Sequence, residues 1–401
     1  MLTKSNIKNF LRDFRKNLFC RGKEQNTDEY KYFIFINSKV TNIIDQIFPH
    51  FEKGFLDKER VLIVYKHHFE SVNYIQRDIN KYGLQGHCII NLRDIPSVKD
   101  AIWIYTHNSM HNFAVINKNL YSTHIWIGHG DSEKIAYYKK MIRIYDYIFV
   151  LGDLSIERFI THKIFREGER YKFIRIGKMA LCSVLPTTVK NGKKAVLFAP
   201  TWEGAMVEEN YSTLHLHQEN AEFIETVSNQ LDIDTIVIKL HPNTGIRDSK
   251  VVHQTIKTVK SLLALDKNLI FVAEKGDWVY GYIFNEFKDK LKYRDKLYQL
   301  KDYKLEIGIA NISAMTPMID IEGIKTFVLY DKEIEIQERV SLTSGEKVNL
   351  RELKSAYDFA HTMAEGLVTY EKNWDNLPPK DIFKEVELFV NVLSPSSSLT
   401  K

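Results

Sequence analysis

The sequence predicts an α/β protein of two doubly wound, Rossmann-type domains that face a cleft, preceded by an N-terminal amphipathic helix. From about residue 30 onwards, short apolar runs rich in β-branched and aromatic residues alternate with longer amphipathic stretches. Such continuous runs are typical of strands that are buried on both faces of a parallel sheet. A polar stretch at residues 183–193, with Pro186 and Gly192, divides the runs into two series and indicates an interdomain linker.

The apolar runs give the predicted strands in chain order. In the first series they are residues 32–37, 61–66, 88–92, 101–106, 123–128, 147–152 and 173–177, and in the second 195–200, 235–240, 269–274, 305–310 and 326–331. Helical spacing is seen between them, for example at 68–82 and 132–143. The predicted segments are 1–25 (basic and amphipathic), 26–185 (N-terminal α/β domain), 193–375 (C-terminal α/β domain) and 376–401 (closing helix and tail).

Three further stretches lie outside these runs. Residues 350–371 and 380–392 have helical patterns that are expected to close the structure. The charged and aromatic stretch 277–303 is expected to form either a helix that caps the second sheet or an acceptor-binding insertion.

The composition excludes several classes of protein. Of 401 residues, 44% are hydrophobic and 27% charged, as in folded globular proteins. The net charge of +5 is too small to argue for a nucleic-acid partner. Cys20, Cys88 and Cys182 include no close pair, which excludes a disulfide framework or a CxxC-type zinc site. Since there is no apolar run of about 18 residues and no secretory signal, we expect a cytoplasmic protein.

The N-terminal segment holds most of the positive charge. Residues 1–23 contain seven basic residues and one acid, Asp13. Ile7, Phe10, Phe14 and other apolar residues recur at helical spacing on the opposite face. This pattern favours a helix lying on an anionic membrane surface, at the inner face of the cell membrane. The alternative is a helix docked on the first domain with its basic face in solvent.

Residues directly after the predicted strands are the candidate site residues, because ligands bind at the carboxyl ends of parallel strands. His129 lies between Gly128 and Gly130, and a helix is expected to begin near Asp131 or Ser132, which would give a helix N-terminus suited to anions. The alternative is an ordinary tight turn with an exposed histidine.

Three later strands end in similar motifs. His241 precedes Pro242 at the end of the strand 235–240. Ser313 and Thr316 follow the strand 305–310 and can either offer hydroxyls to a phosphate or simply cap the next helix. Trp202, in the motif at residues 199–204, can cover a base or a sugar, or wedge between the domains.

Taken in order, these motifs resemble the CDP-glycerol glycerophosphotransferase family, the teichoic-acid and capsule polymerases with the GT-B fold. The resemblance covers roughly residues 100–335: a strand ending in His-Gly with a downstream lysine, then APTW, then a strand ending in His-Pro, then a serine turn before a helix and strand. Two departures are the sequence Asp131-Ser132-Glu133-Lys134 after His-Gly, which is typical of capsule-type members, and Ser313-Ala314 in place of paired serines.

The resemblance implies a metal-independent transfer from a CDP-activated alditol phosphate, or another nucleotide donor, to a polysaccharide or teichoic-type acceptor, with no cofactor. In the family both motif histidines are required and the serine turn binds the donor phosphates. The resemblance therefore implies an acceptor domain at 26–185 and a nucleotide-donor domain at 193–375. His129 is expected to be the general base, and Asp131 or Glu133 is expected to orient it. His241 is the alternative base. The expected donor-binding residues are Ser313, Thr316, Lys134, Asn311, Thr201 and Trp202.

Two other functions remain open on the sequence. A GT-B glycosyltransferase using a nucleotide sugar such as CMP-sialic acid would share the same motifs, but it would attack a sugar carbon instead of phosphorus. A non-catalytic nucleotide-binding protein is the third alternative, and the presence of both His129 and His241 argues against it.

Overall fold

The computed structural model describes residues 26–352, except 40–42, 53, 70, 129, 133, 135–136, 138, 178–184, 186–190, 205–206, 275 and 334–344. The described residues form two compact units. The first contains 26–128 and 139–177, and the second contains 130–137 and the residues from 185 onwards. The segment 130–137 thus belongs to the second unit, although the predicted domain limits assign it to the first.

The first unit is built on a seven-stranded sheet with the strand order β3-β2-β1-β4-β5-β6-β7. Each pair of neighbouring strands in it is parallel. The strands are β1 (Tyr32–Ile36), β2 (Val61–Lys66), β3 (Gln85–Ile89), β4 (Ile102–Tyr105), β5 (Thr123–Trp126), β6 (Tyr147–Val150) and β7 (Phe173–Arg175). The helices are α1 (Ile43–Glu52), α2 (Val72–Tyr82), α3 (Asn112–Lys118) and α4 (Asp153–Thr161).

The second unit repeats this architecture with the order β11-β10-β9-β8-β12-β13-β14, again parallel throughout. Its strands are β8 (Lys193–Ala199), β9 (Thr235–Lys239), β10 (Asn268–Val272), β11 (Lys292–Arg294), β12 (Tyr303–Ala310), β13 (Lys325–Tyr330) and β14 (Glu346–Asn349). Its helices are α5 (His217–Gln230), α6 (Lys250–Leu263), α7 (Tyr280–Phe287) and α8 (Met315–Ile321).

The core of the second unit lies on both faces of its sheet. Phe198 and Phe271 pack on one face with residues of α5 and α6, such as Phe223. The neighbouring strand residue Leu197 points to the other face and joins a second cluster with Ile319 of α8. Successive residues of a strand point to opposite faces of the sheet, and both faces are covered here. The strands are therefore apolar at consecutive positions. The prediction of two doubly wound α/β units is confirmed, and the cleft between them stays a prediction.

Some elements differ from the prediction. The stretch 277–303 contains the expected helix, α7, whose Ile283 and Phe287 pack in the core cluster on the second sheet, but it also contains the short edge strand β11. The other edge strand is β14, at residues 346–349. Both edge strands escaped prediction because they are short and mostly polar (KYR and EKVN). The helix expected from Asp131 or Ser132 is also wrong: the described residues of 130–139 contain no α-helix, and a 3₁₀ segment follows at Lys140–Ile144.

Several predicted features lie outside the described residues. These are the amphipathic segment 1–25, the helix expected at 380–392, nearly all of that expected at 350–371, and the tail. Within the part of the chain that is described, no helix is both long enough and apolar enough to span a membrane.

Gly308 allows α8 to lie close to the second sheet. A Cβ atom at this position would lie 2.3 Å from Cγ2 of the buried Ile319. We therefore expect Gly308→Ala to lower the free energy of unfolding by about 1–3 kcal/mol through overpacking. Gly281→Ala, in α7, is the matched control because no atom lies within 4 Å of its Cβ position. Urea denaturation should show the loss only for Gly308→Ala, and equal stabilities would contradict this packing.

Candidate functional site

The candidate site lies at the carboxyl edge of the second sheet, where the strand order reverses. β8 and β12 are neighbours, but the chain continues from β8 towards β9 and from β12 towards β13. The connections therefore leave in opposite directions, and a crevice at such a point is where open α/β sheets bind ligands. Thr201 follows β8 and Asn311 follows β12, so two of the predicted motifs meet here.

Asn311 joins these strand ends through its side-chain amide. Its Oδ1 accepts a hydrogen bond from the backbone N–H of Thr201 (3.0 Å). Its Nδ2 donates to Thr213 Oγ1 and to the carbonyl oxygen of Leu329, both at 2.9 Å. The side chain is fully buried. These bonds indicate that Asn311 positions the motifs, and its expected role in donor binding stays a prediction.

The serine turn has one tightly held hydroxyl. Thr316 is buried and donates from Oγ1 to the carbonyl oxygen of Asn311 (2.8 Å), so it stabilises the turn. Ser313 Oγ accepts a hydrogen bond from the N–H of Met315 (3.2 Å), the local capping that the sequence left open. This bond uses the oxygen of Ser313 as an acceptor, and its O–H can still donate to a phosphate oxygen.

The segment that follows His129 contacts the serine turn and the loop after β8. A Cβ at Gly130, where φ is +139°, would lie 2.6 Å from Cβ of Ala314, so glycine permits a close approach to the serine turn. Lys134 Nζ donates to Thr201 Oγ1 (2.5 Å). Asp131 and Ser132 are buried. These contacts join described residues of the segment to the second unit. His129 and Glu133 lie outside the described residues.

Lys134 is a cation in a desolvated setting. Burial lowers its pKa to about 8, while the nearby carboxylates of Glu209 and Glu203 act in the opposite direction. Both carboxylates are buried. Lys134 is thus mostly protonated at neutral pH, but its charge is easily lost. A cation beside Thr201 can attract an anionic ligand to the edge of the sheet.

Trp202 and His241 form a stacked pair. Their ring centroids lie 5.3 Å apart with an interplanar angle of 14°. The backbone N–H of Asn243 donates to Nδ1 of His241 (3.1 Å). Because Nδ1 accepts, the neutral imidazole carries its proton on Nε2. That tautomer suits donation to a phosphate oxygen, the role implied for His241 by family resemblance.

Glu203, in the same motif as Trp202, was not predicted as a site residue. Its fully buried carboxylate accepts hydrogen bonds from the backbone N–H groups of Gly245, Arg247 and Asp248 at 3.0, 2.9 and 3.2 Å. These partners are 42 to 45 residues further along the chain. No local signal in the sequence reveals such a long-range set of contacts.

The first unit has its own reversal of strand order, between β1 and β4. His68 Nε2 and Asn37 Oδ1 lie 2.6 Å apart after β2 and β1, and Thr106 Oγ1 and His107 Nδ1 lie 2.8 Å apart after β4. Phe69, next in the chain to His68, is 76% exposed. These residues were also missed, although a histidine directly after an apolar run was the signal that identified His129 and His241.

In the described residues, no group of three or more His, Cys, Asp or Glu side chains is arranged to hold a metal ion.

Asn311→Ala tests the positioning role. The change would leave the Thr201 N–H, the Thr213 hydroxyl and the Leu329 carbonyl oxygen without their buried partner. We expect the free energy of unfolding to fall by about 3 kcal/mol. The exposed Asn229→Ala in α5 is the control and should change it by less than about 0.5 kcal/mol. Weakened nucleotide binding with unchanged stability would instead identify Asn311 as a ligand contact.

The protonation of Lys134 can be measured directly. In an NMR titration of lysine side chains, we expect one signal to titrate near pH 8, since burial destabilises the charged amine. That signal should vanish in Lys134→Met and persist in Lys139→Met, which removes an exposed lysine of the first unit. Titration of the Lys134 signal above pH 10 would contradict the buried environment.

Comparison with known proteins gives matches to solved structures alone. No family model and no curated protein matches the chain. Anabaena Alr3699/HepE, solved with UDP and glucose, is 9% identical, covers 91% of this chain and 100% of its own, and has a TM-score of 0.49. The wall teichoic acid polymerase TagF is 13% identical, with coverages of 97% and 94% and a TM-score of 0.40.

A third match is Acinetobacter baumannii MurG, at 8% identity, with coverages of 89% and 98% and a TM-score of 0.42. At these identities and TM-scores the likenesses carry no argument about activity. The description of the fold therefore rests on the strand order of the two sheets.

Proposed function

We propose that this chain transfers an alditol-phosphate unit from a CDP-activated donor to a hydroxyl of a cell-surface polymer, as in teichoic-acid or capsule synthesis, without a metal ion. The observation that carries the proposal is the meeting of four separate motifs at one edge of the second sheet. Lys134 contacts Thr201, Thr201 contacts Asn311, and Trp202 stacks on His241. These are the motifs whose order resembles the glycerophosphotransferase family.

The donor phosphates are proposed to lie among Lys134, Ser313 and His241. Lys134 supplies positive charge, the Ser313 hydroxyl supplies a donor, and the Nε2–H of His241 supplies a second one. Together they would stabilise the negative charge that grows on the departing CMP. A desolvated cation is suited to this task, because electrostatic interactions strengthen where water is excluded.

The acceptor hydroxyl is proposed to lose its proton to His129, with Asp131 or Glu133 orienting the imidazole. The acceptor oxygen forms a bond to the alditol-bearing phosphorus, and the bond from that phosphorus to the CMP oxygen breaks. The proton passes to the imidazole and CMP leaves with the bonding electrons. A phosphodiester remains on the polymer.

We also propose that the basic, amphipathic residues 1–25 bind an anionic membrane surface, which would bring a cytoplasmic enzyme to the growing polymer at the inner face of the cell membrane. The helical spacing of the apolar residues, together with seven Lys and Arg residues in 1–23, supports this placement.

A glycosyltransferase using a nucleotide sugar such as CMP-sialic acid is the second candidate. One observation favours it: the serine turn offers Ser313 alone, and the next residue, Ala314, packs where Gly130 approaches. A donor with a single phosphate needs fewer hydrogen-bond donors than one with a diphosphate. In that reaction the acceptor oxygen would attack the sugar carbon.

The test is release of the nucleotide, CMP or UDP according to the donor, and transfer in the presence of EDTA. The donors are CDP-glycerol, CDP-ribitol, CMP-sialic acid and UDP-sugars, each with and without a teichoic-type or oligosaccharide acceptor. We expect CMP release from a CDP-alditol and a phosphatase-resistant, acid-labile phosphodiester in the product. His241→Gln should lower the rate by about 10²–10³-fold, and His129→Ala by about 10²–10⁴-fold.

His253→Gln, which changes an exposed histidine of α6, is the control and should retain the full rate. A loss below about tenfold in His129→Ala removes that residue from the role of base. Activity with a nucleotide sugar alone would establish the second candidate, and no release from any donor would contradict both.

A further inference from the structure

The carboxylate of Glu203 occupies an anion-binding site formed by backbone N–H groups of the loop after β9. The N–H groups of Gly245, Arg247 and Asp248 converge on its two carboxylate oxygens, one on Oε2 and two on Oε1. Converging backbone N–H groups of this kind commonly bind anionic ligands. Here the site is already filled, so these N–H groups do not bind the donor phosphate.

The guanidinium group of Arg247 also links the loop after β9 to the loop after β8. Its Nε donates to the carbonyl oxygen of Gly204 and its Nη2 to that of Glu203, both at 2.8 Å. The loop after β8 is therefore bound to the loop after β9 by five hydrogen bonds between Glu203–Gly204 and Gly245–Asp248. A buried carboxylate without such partners would be strongly destabilising.

The turn that Glu203 holds begins at His241. Thr244 donates to the carbonyl oxygen of His241 from both its N–H (3.0 Å) and its Oγ1 (2.8 Å). Gly245 has a φ of +84°, and a Cβ there would lie 2.5 Å from Cγ2 of Val252. The turn from His241 to Asp248 thus has one well-defined conformation, and its far end is fixed by the carboxylate of Glu203.

The near end is fixed as well, because Trp202 precedes Glu203 and stacks on the His241 ring. Residues 202–204 therefore contact both ends of the turn: Trp202 contacts His241, and Glu203 and Gly204 contact Gly245–Asp248. A change at Glu203 would release the far end and alter the stacking at the near end.

We propose that Glu203 is a positioning residue that sets the orientation of the His241 imidazole and thereby the rate of transfer. The effect on rate rests on the proposed function, whereas the effect on orientation does not. Glu203 touches no reacting atom in this proposal and acts through the turn and through Trp202. Displacement of a reacting group by about 1 Å can cost about 10²-fold in rate, so the expected effect is large.

The orientation is tested without an activity assay. Histidine ring signals are recorded by NMR, with His241 assigned by loss of its signal in His241→Gln. We expect Glu203→Gln to shift the His241 signal, because the amide nitrogen cannot accept the hydrogen bond that one carboxylate oxygen now receives. The signal of the exposed His111, in the first unit, should stay in place. Glu222→Gln changes an exposed glutamate of α5 and should leave both signals unmoved.

The rate is tested by a double-mutant cycle. We expect Glu203→Gln to lower kcat by about 10- to 100-fold while the donor KM stays within about threefold. In the His241→Gln background the same change should cost less than about twofold, because the group that it positions is gone. Independent costs in the two backgrounds, or an unmoved His241 signal, would overturn the proposal.

If Glu203→Gln fails to fold, Arg247→Met removes the two guanidinium hydrogen bonds and leaves the carboxylate in place. It should shift the His241 signal in the same way but to a smaller extent, and no shift would overturn the proposal. If the wild-type protein transfers from none of the donors, the proposed function fails. The NMR measurement still decides whether Glu203 orients His241.

Discussion

The buried side chain of Asn311 is the contact on which the candidate site depends. Its amide connects the end of β12 to the loop after β8, to the end of β13 and to Thr213. Each later contact builds on this one: Thr201 presents its hydroxyl to Lys134, and the following residues reach the turn that begins at His241. A short polar side chain with two donors and two acceptor positions suits the centre of a switch point, because it satisfies several strand ends at once.

Two charged side chains near this contact have identified partners. Glu203 accepts hydrogen bonds from three backbone N–H groups, and the half-buried Lys134 lies near the carboxylates of Glu203 and Glu209. In the proposed function, Lys134 would face the donor phosphates, and its attraction for them would strengthen where water is excluded.

Much of this fold could be predicted from the sequence, because strands buried on both faces leave continuous apolar runs such as residues 32–36 and 61–65. The edge strands β11 and β14 leave no such run, since an edge strand is partly solvated. The helix that was predicted after His129 is not formed by the described residues, although the spacing of apolar residues favoured it. In this segment Gly130 and Lys134 contact residues far along the chain, and periodicity does not reveal such contacts. Glu203 was missed for the same reason, as its role depends on partners distant in the sequence.

The membership of residues 130–137 in the second unit has a consequence for the order in which the protein is made. Lys134 is synthesised 67 residues before Thr201, its hydrogen-bond partner. The interval between Gly130 and its neighbour Ala314 is longer still. The connection between β5 and β6 therefore leaves the ribosome before the surface that it packs against exists. The first sheet can pair its strands early, but this connection reaches its final conformation only after β8 and β12 have been synthesised and paired. A fragment that ends before β8 would contain every strand of the first sheet and still lack the binding surface for its own loop.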